Sequence, residues 1–178
     1  MTSTIDIYYI LESLGLTVFF VGLIGFERQR KHKIAGMTTH VLVALGAAAL
    51  AIVQETMYLE SIQFAFDNPQ FIGNIVLQRQ RIIAAVITGV GFLGTGAILK
   101  TNSNVYGLTT ASTLWISAII GIIFGLGQNV LGIIVSIAAL LTLVVIKRVF
   151  GKPLAEYYKV DTEEDDEENE WESNDEKV

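Results

Sequence analysis

Residues 81–115 read RIIAAVITGVGFLGTGAILKTNSNVYGLTTASTLW. An arginine enters an apolar run that carries four glycines, Gly89, Gly91, Gly94 and Gly96, and the run ends at Lys100. A short polar loop follows, and the chain restarts at Gly107-Leu108-Thr109-Thr110. A bilayer's hydrocarbon core is about 30 Å thick and takes about 20 apolar residues as helix. The stretch therefore reads as two membrane-length helices joined by a tight hairpin.

Working outward, five segments of this kind can be traced, near Ile7–Phe26, Gly36–Val53, Ile82–Leu99, Leu108–Leu126 and Val130–Ile146. None holds an ionisable residue near its centre, where one would cost roughly 2.5–3.5 kcal/mol or more. The expected architecture is all-α and polytopic, with about five transmembrane helices in residues 1–150. The composition agrees: 52% of the 178 residues are apolar and the mean hydropathy is +0.52, too apolar for an ordinary soluble domain. There is no cysteine, which excludes disulfides, thiol catalysis and Cys-based metal sites.

The net charge of −6 is an average of two unlike parts. Residues 161–178 hold eleven Asp/Glu and one Lys, which leaves seven acids against eleven Lys/Arg in the rest. The body is mildly basic, and residues 151–178 read as an acidic, disordered cytoplasmic tail. No Lys or Arg precedes Arg28, so the first apolar segment lacks the basic leader of a signal peptide and is expected to remain as a membrane helix. Lys/Arg asymmetry sets orientation. The first connection carries Arg28, Arg30, Lys31 and Lys33, the third carries Lys100, and the chain after the fifth segment carries Lys147, Arg148, Lys152 and Lys159. These fall on one side, which places the N-terminus outside and the C-terminus in the cytoplasm, with Arg79 and Arg81 on the wrong side. Residues 54–80 become a long external loop, in which Asp67-Asn68-Pro69 reads as a helix start and the following residues as an interfacial helix.

An internal repeat is visible. Gly22-Leu-Ile-Gly25 matches Gly91-Phe-Leu-Gly94 at an offset of 69, and Lys31 matches Lys100 at the same offset. Gly36-Met-Thr-Thr39 matches Gly107-Leu-Thr-Thr110 at 71. Two hairpins of the same direction would be parallel repeats about an axis along the membrane normal, with a fifth helix added. In each, glycine permits a turn and threonine is a good N-cap for the next helix. Two readings of these paired helix starts stand: simple capping, or binding of an anionic group by free N–H groups and threonine hydroxyls. On the fourth segment Thr109, Thr113, Ser117, Gly121 and Gly125 recur every four residues and read as a smooth packing face.

Glu27 and Arg28 follow directly on the first apolar run. Each reads as a snorkelling anchor, or Glu27 as the partner of Arg28, Lys100 or Arg81. His40 reads as a hydrogen-bonded helix residue and Trp115 as an interhelical packing residue. Mg²⁺ prefers carboxylates or phosphates and keeps several waters. The membrane body offers only Glu12 and Glu27, near opposite ends of one helix, so no resident metal site is read. No catalytic set, cofactor motif or nucleic-acid pattern is present, and an enzyme is not expected.

The segments GLIGFERQRKHKIAGMTTHVLVALGA, RIIAAVITGVGFLGTGAILK and YGLTTASTLW together resemble the signature of the MgtC/SapB family of bacterial inner-membrane proteins. The resemblance spans about residues 15–145. It implies a helical membrane domain of about five spans in the cytoplasmic membrane. It also implies a role in adaptation to magnesium limitation, associated with virulence in some members. Modulation of another membrane protein is the first reading of mechanism, with a membrane-protein partner or a homo-oligomer. Transport of Mg²⁺ or another ion is the alternative. The motif positions it marks are Glu27, Arg28, Gly36, Thr39, His40, Arg81, Gly89, Gly91, Gly94, Gly96, Gly107, Thr109, Thr110 and Trp115, to which the repeat adds Lys100. The chain departs from the family pattern at Thr38, commonly arginine, and at Gln78, commonly an acid. It also has the acidic tail where many members carry a soluble C-terminal domain.

Overall fold

The computed structural model describes residues 6–70, 80–100 and 105–146. The interfacial helix and tail expected above lie outside these residues. Five helices carry the structure: α1 (Ile7–Arg30), α2 (Met37–Asp67), α3 (Arg81–Gly96), α4 (Leu108–Gly125) and α5 (Asn129–Leu141). Between α3 and α4 two short antiparallel strands, β1 (Leu99–Lys100) and β2 (Val105–Tyr106), close the hairpin, with Leu99 opposite Tyr106 and Lys100 opposite Val105. The contacts define one unit of residues 1–139 and a second of residues 140–178. The described part of the second is the end of α5 and a π turn, Thr142–Ile146.

Three helices, α1, α2 and α4, are long and apolar enough to cross a membrane. α3 and α5 are shorter apolar helices, and α3 stops at Gly96 because the chain then enters the strand pair. Large apolar side chains such as Phe19, Phe26, Leu42 and Phe92 are exposed, as expected of surfaces that face lipid rather than water. The protein is a multi-pass membrane protein.

The external loop expected at residues 54–80 is corrected by the structure. α2 is one helix of 31 residues, about 46 Å at 1.5 Å per residue, so it outruns the hydrocarbon core. Asp67-Asn68-Pro69 both ends α2 and starts a new turn: α2 stops at Asp67, and a 3-10 turn begins at Pro69, the first-position proline expected of a helix start. The Asn68 N–H and its side-chain Nδ2 both donate to the Phe64 carbonyl, at 3.0 and 3.1 Å, and the following proline has no N–H with which to continue.

The helices of the first unit pack in a simple order. α2 and α4 run side by side in the same direction: His40 meets Thr113, Ala44 lies on Gly121, and Ala48 and Ala51 lie on Gly125. A side chain on Gly121 or Gly125 would collide with the carbonyl of Ala44 or Ala48. α1 runs antiparallel to both, with Gly25 against Met37 at one end and the Tyr9 hydroxyl on the Gly125 carbonyl (2.8 Å) at the other. α3 runs antiparallel to α4, with Gly94 against Ala111, and helps to cover a core of Ala47, Ala51, Val90, Ala118 and Ile122.

The repeat has a structural counterpart. Gly25 packs against Met37 and His40, and Gly94, its counterpart, packs against Ala111. His40 and Ala111 are each the fourth residue of the second helix of their hairpin. Each hairpin therefore uses one glycine to admit the first turn of its second helix, and the two second helices are parallel. The packing face of α4 is Thr110, Thr113, Ser117, Gly121 and Gly125, all buried, whereas Thr109 is exposed. At 100° per residue a strict four-residue row drifts off one face, and Thr110 replaces Thr109 at its head.

Glycines divide into those that are filled and those that are not. Gly121→Val should destabilise the bundle by about 2–3 kcal/mol through overpacking. Gly89→Ala, whose Cβ would meet open space, should be neutral or stabilising by up to about 1 kcal/mol. Unfolding of the detergent-solubilised protein measures both, and equal responses would contradict this packing.

Candidate functional site

The end of the bundle where α1 stops and α2 and α4 start holds its polar interior. Arg28, in the last turn of α1, is 1% exposed. Its Nη2 donates to the Thr110 hydroxyl of α4 (3.2 Å), and its Nε has no partner among the described residues. His40 is wholly buried beside it. The His40 ring joins Gly36 and Thr113: Nδ1 lies 2.7 Å from the Gly36 carbonyl, and Nε2 lies 3.0 Å from the Thr113 hydroxyl. A carbonyl only accepts, so Nδ1 carries a hydrogen. The Thr113 hydroxyl also reaches the Thr110 carbonyl at 2.9 Å. With the ring neutral, its single hydrogen is wanted by both Nε2 and that carbonyl, so Thr113 is a shared point of the network.

Local sequence builds this arrangement. Gly25 has no side chain, and a Cβ there would lie 2.6 Å from the Met37 Cα. Gly107 begins α4 at φ +88, a left-handed conformation, and a Cβ on it would strike the Ala97 carbonyl, so only glycine fits. Gly36 begins α2 with an ordinary extended backbone, φ −97. Neither helix start has a side-chain cap from a threonine; the caps are the glycines. Thr110 turns inward to Arg28 instead, and the first N–H of α2, that of Met37, donates to the Gln29 side-chain oxygen at 3.2 Å.

Among the residues singled out in sequence, the structure gathers Arg28, Gly36, His40 and Thr110, with Gly107 setting the approach of Thr110 and Glu27 adjoining Arg28 in the chain. Glu27 forms an ion pair with Lys31 one turn on, and its charge also acts on the neighbouring Arg28. The direct ion pair is thus with Lys31, and of the three cations considered above Arg28 is the one that Glu27 acts on electrostatically. Thr39 and Thr109 are exposed, and Lys100 is exposed on β1. Gly94 is packed, while Gly89, Gly91 and Gly96 face open space. Trp115 is 43% exposed and lines a groove of ≈ 320 Å³ between α3 and α4, with Gly91, Gly94 and Ala111. It borders both α3 and α4 in that groove without being enclosed between them. Arg81 opens α3 at the opposite end of the bundle from Arg28. Among the described residues no three His, Cys, Asp or Glu side chains gather.

Three participants were not legible as such: Gln29 as the cap of α2, Thr113 as the bridge to His40, and Gln54, whose Oε1 accepts from the Ile83 N–H at 3.2 Å. A glutamine inside an apolar helix was the available signal for Gln54.

The chain matches the model of the MgtC family over residues 14–151. It belongs to that family. The matched segment contains the whole Arg28–His40–Thr110–Thr113 cluster. Among MgtC-family relatives, "Putative magnesium transporter YhiD" of Escherichia coli strain K12 is 42% identical over 130 residues, 73% of this chain and 57% of that protein. "Protein MgtC" of Salmonella typhimurium strain LT2 is 42% identical over 120 residues, 67% of this chain and 44% of that protein. "Protein MgtC" of Brucella abortus strain 2308 is 42% identical over 106 residues, 60% of this chain and 38% of that protein. The chain thus spans about half the length of the curated relatives it matches. No solved structure matches it.

Thr110→Val keeps the shape of Thr110 and removes the hydroxyl that Arg28 meets. A hydrogen bond to a charged group contributes about 1.5–3 kcal/mol, and the variant should lose stability of that size. In an Arg28→Met background the same change should be nearly silent. Equal losses in both backgrounds would show that the two side chains do not interact.

Proposed function

We propose that this MgtC-family protein is a non-enzymatic protein of the bacterial cytoplasmic membrane. It supports adaptation to magnesium limitation by modulating another membrane protein, with its N-terminus outside and its C-terminus in the cytoplasm. The observation that carries the mechanism is the buried Arg28. Its guanidinium stays protonated, and it sits in the polar interior that an ion path through this bundle would use. A divalent cation within about 6 Å would meet roughly 5 kcal/mol of repulsion at an effective dielectric of about 20. The carboxylate nearest in sequence, Glu27, is paired with Lys31 and offsets only part of the Arg28 charge. The cluster is thus suited to fixing two hairpins against each other, as a module that presents a defined surface to a partner. Orientation is supported by the antiparallel packing, which collects Arg28, Arg30, Lys31, Lys33 and Lys100 at one end.

A second reading is transport of Mg²⁺ or another ion, favoured by the name of the E. coli relative. Reconstitution separates the two. The purified protein in liposomes should pass no Mg²⁺, while cross-linking in magnesium-starved cells should join it to one membrane protein in fixed stoichiometry. Sustained Mg²⁺ flux that Glu27→Gln reduces would establish the second reading instead. Because the chain has no native cysteine, single cysteines at Ser61 and Ser103 report orientation. Residue 61 should label from outside intact cells and residue 103 should not; the reverse pattern would invert the topology.

A further inference from the structure

Arg81 is one of the two cations that the charge asymmetry leaves on the wrong side, and the buried cluster does not use it. It is exposed at the start of α3. Together with Leu50, Ile82, Ala85 and Val86 it lines a groove of ≈ 340 Å³ between α2 and α3. Leu50 and Ala85 are themselves exposed, so the groove faces outward, toward lipid. Four of the five lining residues are hydrocarbon, and the cation lies at the helix end, nearest the membrane surface.

A second observation lies one turn along α2 from Leu50, at the start of α3. Gln54 of α2 is 4% exposed. Its Oε1 accepts from the Ile83 N–H at 3.2 Å, and because an N–H only donates, the orientation of the amide is settled. The Nε2 of that planar amide therefore also lies beside the first turn of α3, and it has no partner among the described residues. A buried donor without an acceptor calls for one. The first N–H groups of a helix, here those of Arg81 and Ile82, have no intrahelical partner and carry the positive end of its dipole. Glu55, the acid next along α2, sits about 100° round the helix from Gln54.

We propose that this corner binds a phospholipid, with its phosphodiester at Arg81, Gln54 Nε2 and the start of α3, and one acyl chain in the α2–α3 groove. The guanidinium fork matches two phosphate oxygens, the amide supplies a further donor, and the helix terminus favours the negative charge. The hydrocarbon lining below asks for an apolar occupant.

The test is native mass spectrometry of the full chain, purified in detergent and titrated with phosphatidylglycerol. The wild type should retain one lipid per chain. Arg81→Gln should weaken retention about tenfold by removing the fork. Ala85→Phe should weaken it comparably by filling the groove while leaving the head-group contacts in place. Arg81 and Ala85 are both exposed, so neither change disturbs the core, and each reads a different half of the site. Arg30→Gln, at the other end of the bundle, should bind as the wild type does. Retention by either site variant equal to wild type would overturn the proposal. So would displacement of the lipid by inorganic phosphate, which would mark a free-anion site.

Discussion

A guanidinium that stays protonated and is almost wholly buried constrains everything around it. Arg28 cannot shed its charge, so the fold must bring it an acceptor, and the acceptor is the Thr110 hydroxyl at the third residue of α4. That contact joins two parts of the chain 82 residues apart, the end of the first helix and the start of the fourth. It requires the second hairpin to enter at the same end of the bundle as the first. His40, buried next to it, repeats the demand, since its Nε2 is met by Thr113 of the same helix. The polar interior and the order of the helices are thus two descriptions of one constraint.

Glycine sets how closely that constraint can be met. Where the repeat's second helices run side by side, Gly121 and Gly125 let the Ala44 and Ala48 carbonyls of α2 approach to backbone contact. In a membrane such close approach replaces the hydrophobic drive that would assemble helices in water. α3 is different. Gly94 is packed, but Gly89, Gly91 and Gly96 border open space, and the grooves on either side of α3 face outward. α1, α2 and α4 form the closely packed part of the unit, and α3 carries its accessible surfaces, which is where lipid or a partner helix can be accommodated.

Much of this was legible in the residues. The apolar runs, the four-residue recurrence of small residues on the fourth segment and the GxTT repeat led to five helices, four of them in two like hairpins. What escaped has specific physical causes. Residues 54–67 look like a loop because they carry Gln54, Glu55, Glu60 and Asp67, yet an amphipathic extension can continue a membrane helix beyond the hydrocarbon, and α2 does. The two GxTT motifs look equivalent, but the second follows a strand pair, starts at φ +88 and turns Thr110 inward, while the first starts at φ −97 and leaves Thr39 exposed. A motif fixes residue types; the backbone angle at its glycine, which depends on what precedes it, decides where its hydroxyls go. The caps supplied by Gln29 and Gln54 depend on side chains eight and twenty-nine residues from the N–H groups that donate to them, a pairing no local pattern encodes.

For function, the consequence is that the repeat's two helix starts form one joint rather than two separate anion sites, and that this joint is held by a fixed positive charge. The arrangement itself is open to a direct measurement. Thr39 and Thr109 are exposed at the starts of the parallel α2 and α4, and the chain has no native cysteine, so nitroxide labels at these two positions can be paired cleanly. Neighbouring helix axes lie about 8–10 Å apart, so with label linkers the distance distribution from double electron–electron resonance should centre below about 25 Å. A distribution centred at or beyond about 35 Å, longer than the hydrocarbon core is thick, would put the two helix starts on opposite faces of the membrane and contradict the account.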